Sequence, residues 1–148
     1  MSSINRSALV PYAAEQMYDL VNDIEAYPEF LPWCTAATVL ARDPHAIRAT
    51  LCLAKGALQQ SFTTRNTLQA GRRIDMRLEA GPFQYLNGTW LFHPIGTQGC
   101  EVSLHLHFEL AKGILGLAFG QVFKQLANSL VDAFCRRAEE RYGTRRQC

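Results

Sequence analysis

The apolar positions along this chain change period three times. Ile4, Ala8 and Val10 fall on alternate positions, the two-residue repeat of a strand with one buried face. Arg6 shares that register, which marks an edge strand or a charged interior contact. Pro11 ends the run, because proline brings no amide donor to a ladder. From Ala13 to Val21 the spacing becomes helical, with Met17, Leu20 and Val21 on one side and Glu15 and Asp19 on the other. A second short helical turn begins at Asp23 and runs into YPEFLPWC, residues 27–34.

After Trp33 the strand period returns. Thr38 to Ala41 is a strand, Asp43-Pro44-His45 a turn, and Ile47, Ala49, Leu51 and Leu53 alternate with Arg48, Thr50 and Cys52. Lys55-Gly56 turns the chain into a more polar strand from Leu58 to Leu68 around Phe62. Ala70-Gly71 turns it again, and Ile74, Met76 and Leu78 then face inward. From Cys100 to Leu110 the alternation is unbroken, with Glu101, Ser103, His105, His107 and Glu109 on the wet face. Beyond Lys112 the period shifts to 3.6 for about thirty residues, with Leu115, Phe119, Val122, Phe123, Leu126, Leu130, Phe134 and Ala138 on one stripe.

Short turns between strands imply antiparallel pairing, since parallel strands would need a helix between them. The expected fold is therefore α+β: a curved antiparallel sheet of six or seven strands wrapped around one long C-terminal helix, with two short helices after the first strand. The pattern fills residues 1–148 as a single domain.

Composition agrees, at 48% hydrophobic and 19% charged residues, the balance of a globular chain. Five cysteines without a close pair suggest neither a disulfide framework nor a zinc site, which fits a reducing cytoplasm. The N-terminus lacks the apolar run of a signal peptide, and no stretch is long and apolar enough to span a bilayer. The net charge of +2 is too small to argue for nucleic acid by itself, and DNA is not an expected partner. Its distribution is more informative. Residues 15–29 carry five acids and no base, whereas Arg136, Arg137, Arg141, Arg145 and Arg146 crowd the C-terminus. These are either two solvated faces or a docking surface for an anionic partner.

Three stretches stand out chemically. YPEFLPWC sets Tyr27, Phe30, Leu31 and Trp33 around Pro28 and Pro32, so it must be a turn or short lid whose aromatics need an apolar receiver. In GPFQYLNGTW, residues 81–90, Gly88 interrupts a strand-like run, which signals a bulge or a close backbone approach. Leu86, Trp90 and Phe92 share one face there. In AKGILGLAFGQVF, residues 111–123, Gly113, Gly116 and Gly120 loosen an apolar helix start; this suits either a gate or bilayer-touching surface, or close packing on the sheet.

Catalytic groups are scarce. His105 and His107 have a metal-compatible spacing but no evident third ligand, so no metal or other cofactor is expected. Ser103 lacks a nucleophile-elbow context. His93 and Tyr85 are the acid–base candidates of a cyclase, but most polar residues fall on the outer register.

Taken together, DIEAYPEFLPWC, GPFQYLNGTWLF and the ending VDAFCRRAEERYG resemble the START-like, helix-grip family. That family includes coenzyme Q-binding proteins of respiratory membranes, the bacterial ribosome association toxin and oligoketide cyclases. The resemblance implies a deep cavity between the concave sheet and the terminal helix, with the helical insertion at its mouth. The first-ranked expectation is a non-enzymatic carrier of ubiquinone or a related polyprenyl lipid, cytoplasmic or peripheral to the inner membrane. The expected lining is Tyr27, Phe30, Leu31, Trp33, Phe62 and Met76, then Phe83, Leu86, Trp90 and Phe108, and from the helix Leu115, Phe119, Phe123 and Leu126. Its rivals are an inhibitor of translation that binds the large ribosomal subunit through the C-terminal arginines, and a polyketide cyclase or dehydratase.

Overall fold

The computed structural model describes residues 2–111 and 114–143, the side chains of 114–118 excepted. The chain order is β1 (Ser2–Val10), α1 (Ala14–Asn22), a 3-10 helix (Ile24–Glu29), β2 (Cys34–Asp43), β3 (Ala46–Lys55), β4 (Leu58–Gln69), β5 (Arg73–Ala80), β6 (Phe83–Ile95), β7 (Gly99–Leu110), α2 (Ile114–Asn128) and α3 (Leu130–Tyr142). The seven strands form one sheet in the order β1-β7-β6-β5-β4-β3-β2, every neighbouring pair antiparallel. From β2 onward each strand is joined to its neighbour by a short turn. The first strand instead pairs with the last, so the helical insertion between β1 and β2 must pass from one sheet edge to the other.

Local chemistry accounts for the punctuation. Gln16 reaches back to accept the amide hydrogen of Ala13 at 3.0 Å and so starts α1. Gly56 and Gly71 take positive φ at the β3–β4 and β4–β5 turns, where a side chain would be strained. Arg6 lies on the edge strand and reaches Asp132 of α3 at 3.2 Å, so it is both an edge residue and a charged tie to the helix. β2 runs further than its alternation suggests. It carries register shifts at Cys34/Ala36 and Val39/Ala41, and irregularity of this kind protects an exposed edge from pairing with other chains.

One open alternative is resolved and one element differs from the expected pattern. The bulge in β6 lies between Phe83 and Tyr85, so that Phe83 and Leu86 both turn inward although three residues apart. Gly88 is instead the close approach, since a Cβ there would sit 2.6 Å from Met76 Cε and 2.8 Å from Leu106 Cδ1. The terminal helix is also not single. It divides into α2 and α3 at Ser129, whose amide and hydroxyl both donate to the Leu126 carbonyl, at 3.1 and 2.8 Å. A serine side chain that competes for a backbone acceptor in this way locally disturbs helical bonding.

The buried side chains form two clusters rather than one. The larger gathers α1, the 3-10 helix and α3 over inward residues of the sheet, from Ile47 and Ala49 of β3 to Trp90 of β6 and Leu104 of β7. The smaller collects phenylalanines of β4, β6, β7 and α2. Trp33, Leu51 and Met76 pack against both.

A candidate apolar cavity beneath the helical insertion

Between the two clusters lies a cavity of ≈ 80 Å³. Its mouth is built from the proline-flanked stretch. Phe30 and Leu31 both donate their amides to the Tyr27 carbonyl, at 3.2 and 2.9 Å, and the Tyr27 hydroxyl donates to the Val21 carbonyl at the end of α1. These bonds fix Tyr27, Leu31 and Trp33 over the hollow, where all three line it. Phe30 turns away. Its ring meets Phe134 edge-on at 5.3 Å, and the Arg137 guanidinium stands 4.9 Å above its centroid.

Phe134 is the hub of this region. Its ring is 1% exposed and meets Tyr27, Phe30 and Trp90 at 5.5, 5.3 and 5.4 Å, each tilted toward edge-to-face, the arrangement aromatic quadrupoles favour. The sheet contributes Phe62, Met76, Leu86 and Trp90 to the walls, and α2 contributes Phe123 and Leu126. Nine of the expected lining residues therefore converge. Phe83, Phe108 and Phe119 do not face the hollow. They interlock with Phe123, centroids 4.9–5.8 Å apart, because the β6 bulge turns Phe83 into the smaller cluster. Leu115 lies outside the described side chains. Gly120 is packed, with a Cβ position 3.1 Å from Leu110, which favours close packing over a gate at that point.

Sequence reasoning missed two residues that matter chemically. Thr64 and Asn66 are the buried polar side chains of the core, and both line the cavity. The Thr64 hydroxyl donates to Asn66 Oδ1 at 2.9 Å. This occupies the amide oxygen and leaves the Asn66 NH₂ without a protein acceptor among the described residues. Counting by twos from Phe62 would have placed both on the inner face.

Among the described residues, acid–base groups other than Tyr27 are lacking in the lining. Tyr27 is its ionisable side chain, and burial pushes that phenol well above the ordinary tyrosine range. His93 is exposed, and Tyr85 projects away from the cavity, its hydroxyl buried without a partner. His105 bonds Asn5 Oδ1 through Nδ1 at 2.8 Å, and His107 is exposed on the outer face. Among the described residues no His, Cys, Asp or Glu side chains gather as a metal site, and no helix is long and apolar enough to cross a membrane.

The expected arginine surface on α3 loses one member. Arg137 is only 12% exposed, held by Glu29 at 2.8 Å and Glu140 at 3.6 Å, so it braces the lid against the helix and is not available to an outside anion. Arg136 and Arg141 are exposed, but they share the helix with Asp132, Glu139 and Glu140. Arg145 and Arg146 lie outside the described residues.

A curved antiparallel sheet closed by C-terminal helices over an apolar hollow defines the START-like helix-grip class. Residues 10–135 match the family described as polyketide cyclase/dehydrase and lipid transport, and the chain belongs to that family. The chain is 50% identical to the ribosome association toxin RatA of Pseudomonas aeruginosa over 95% of this chain and 97% of that one. It is 46% identical to RatA of Escherichia coli K12, covering 98% and 92% of the two. A more distant relative is the mitochondrial coenzyme Q-binding protein COQ10 of Dictyostelium discoideum, 24% identical over 90% of this chain and 67% of that one. Among solved structures, the ZhuI aromatase/cyclase of a Streptomyces species superposes with a TM-score of 0.83 at 15% identity, covering 95% of each chain.

Proposed function

We propose that this chain works by association with the ribosome, as a non-enzymatic inhibitor of translation in the cytoplasm, with the large subunit as its partner. The observation that carries the reading is the identity of 50% and 46%, over nearly the full length of both chains, with proteins named ribosome association toxin. A cavity without a convergent acid and base supports a binding role over a cyclase. Sucrose-gradient sedimentation of the purified chain with isolated ribosomal subunits tests it. The chain should travel with the large subunit at low salt and be released as salt rises. A chain that stays at the top of the low-salt gradient overturns the reading.

A second reading, ranked first on the sequence alone, is supported by the cavity itself. Its lining suits an apolar guest, and the free Asn66 amide suits a carbonyl oxygen such as a quinone presents. The size argues for the lower rank. At ≈ 80 Å³ the hollow is small, about half the ~150 Å³ of an apolar cavity that admits benzene, so a substituted ring enters only if Met76 and its neighbours give way. Mass spectrometry of organic extracts of the purified chain distinguishes a resident quinone or lipid from an empty site.

A further inference from the structure

The convex face of the sheet carries a row that no single strand reveals. Register sets Arg48 of β3 opposite Arg65 of β4, and Arg65 opposite Arg77 of β5. Asn87 of β6 and His107 of β7 continue the line. Arg65, Arg77, Asn87 and His107 are exposed, on the register opposite to the cavity. Residues facing one another on neighbouring antiparallel strands lie about 5 Å apart at Cα, so these guanidiniums leave the sheet side by side. Like charges placed directly opposite destabilise a sheet.

Nearby acids relieve only part of that repulsion. Glu79 takes Arg48 at 2.7 Å, and Asp75 takes Arg73 at 2.8 Å while also accepting from Thr89 at 2.9 Å. Neither Arg65 nor Arg77 forms a close ion pair among the described residues, although Arg77, after Arg73 and Thr89, helps to hold the Asp75 carboxyl below its usual range. Both line an open groove of ≈ 630 Å³, together with Thr67, Arg73, Asp75, Met76, Asn87, Gly88 and Thr89. Three guanidinium forks, two hydroxyls and an amide thus address one space, beside an Asp75 carboxylate that Arg73 and Thr89 already occupy. The large exposed apolar side chains, Leu9, Leu40 and Ile95, are not among its walls.

Arginine's planar fork matches phosphate oxygens, and hydroxyls and amides supply further contacts to a sugar–phosphate chain. An apolar peptide or a bilayer would require hydrophobic side chains to insert, and the groove's apolar side chain, Met76, is half-buried and also lines the interior cavity. We infer that the convex sheet face, through Arg65 and Arg77, is the surface that grips the phosphate backbone of RNA. The inference rests on the ribosome-association reading and names its contact surface, on the sheet and not on α3.

The test compares wild type with Arg65→Thr/Arg77→Thr and with Arg136→Glu/Arg141→Glu, all checked for folding by circular dichroism and thermal melting. Threonine suits exposed strand positions and removes the like-charge pair, so the first variant should melt no lower than wild type. It should nevertheless lose co-sedimentation with large subunits, and the slope of log affinity against log salt should fall by roughly 1.5, about 0.7–0.9 for each phosphate contact removed. The α3 variant should sediment as wild type does. If wild type and the sheet variant sediment alike, the surface is wrong while the ribosome reading stands. If wild type does not sediment at all, that reading fails, and filter binding to deproteinised ribosomal RNA decides the surface. There, weaker binding by the sheet variant supports the inference, and equal or absent binding overturns it. A variant impaired only toward phosphatidylglycerol–phosphatidylcholine vesicles overturns it as well, in favour of a membrane.

Discussion

Phe134→Ala probes the junction on which the whole interior depends. The ring is 1% exposed and joins the lid at Tyr27 and Phe30 to the sheet at Trp90. Removing a buried phenylalanine costs about 3–5 kcal/mol. This site belongs near the upper end, because the ring already borders a hollow that its neighbours have not collapsed to fill. For a chain of this length, about 4 kcal/mol corresponds to a melting temperature lower by roughly 8–16 °C. Urea unfolding should show a lower midpoint with an unchanged slope. The enlarged cavity should also bind benzene, so that saturating benzene raises the variant's melting temperature more than the wild type's by mass action. A loss under about 1 kcal/mol, or no difference in the response to benzene, would refute the placement of Phe134 at the meeting point of lid, sheet and helix.

Other consequences are more local. Gly88→Ala puts a methyl against Met76 and the buried Leu106, and should cost about 1–3 kcal/mol in urea unfolding; a neutral result would mean that Met76 swings aside freely. Thr64→Val/Asn66→Leu removes the buried polar pair as a unit, so stability should stay level or rise, while any preference for carbonyl-bearing over hydrocarbon guests in a fluorescence displacement assay should vanish. A large loss of stability instead would mean that the pair serves the fold. Burial pushes the Cys34 and Cys100 thiols up from 9.0 to about 11. Near neutral pH both should resist alkylation until the chain unfolds, as read by mass spectrometry. Because the unfolded chain loses these protons first, their contribution to stability is full below 9.0 and declines as pH climbs toward about 11. Melting temperatures that rise across that window in the wild type relative to a Cys34→Ala/Cys100→Ala variant would contradict the assignment.

Much of this architecture was legible in the order of residues, and the exceptions have physical causes. β7 could be read position by position, since Cys100, Val102, Leu104, Leu106 and Phe108 are all buried on one face. The apolar stripe of the terminal helices was equally plain, but the break at Ser129 depends on a hydroxyl choosing a carbonyl three residues back, which hydrophobic spacing does not record. Inward-facing rings could be recognised, but not what they face. Trp90 borders the hollow as well as the Phe134 ring, whereas Phe83 and Phe108 meet other rings and do not line it, and for Phe83 a bulge decides this. Thr64 and Asn66 were overlooked because small polar residues on alternate positions look like a wet face. The row of Arg48, Arg65 and Arg77 exists only through strand register, which the order of residues along one strand does not record. Arg137, the most buried of the α3 arginines, is committed to Glu29 across more than a hundred residues of chain, a pairing that local charge counting does not reveal.

A molecule that acts, as proposed, by occupying the ribosome and not by turning over a substrate must inhibit in proportion to its amount. Titrating the purified chain into a reconstituted translation system of known ribosome concentration measures that proportion. Occupancy predicts inhibition that grows until the chain is stoichiometric with ribosomes and then levels off, and that is reversed by added large subunits. Inhibition completed at a small fraction of the ribosome concentration, or none at any ratio, would contradict it.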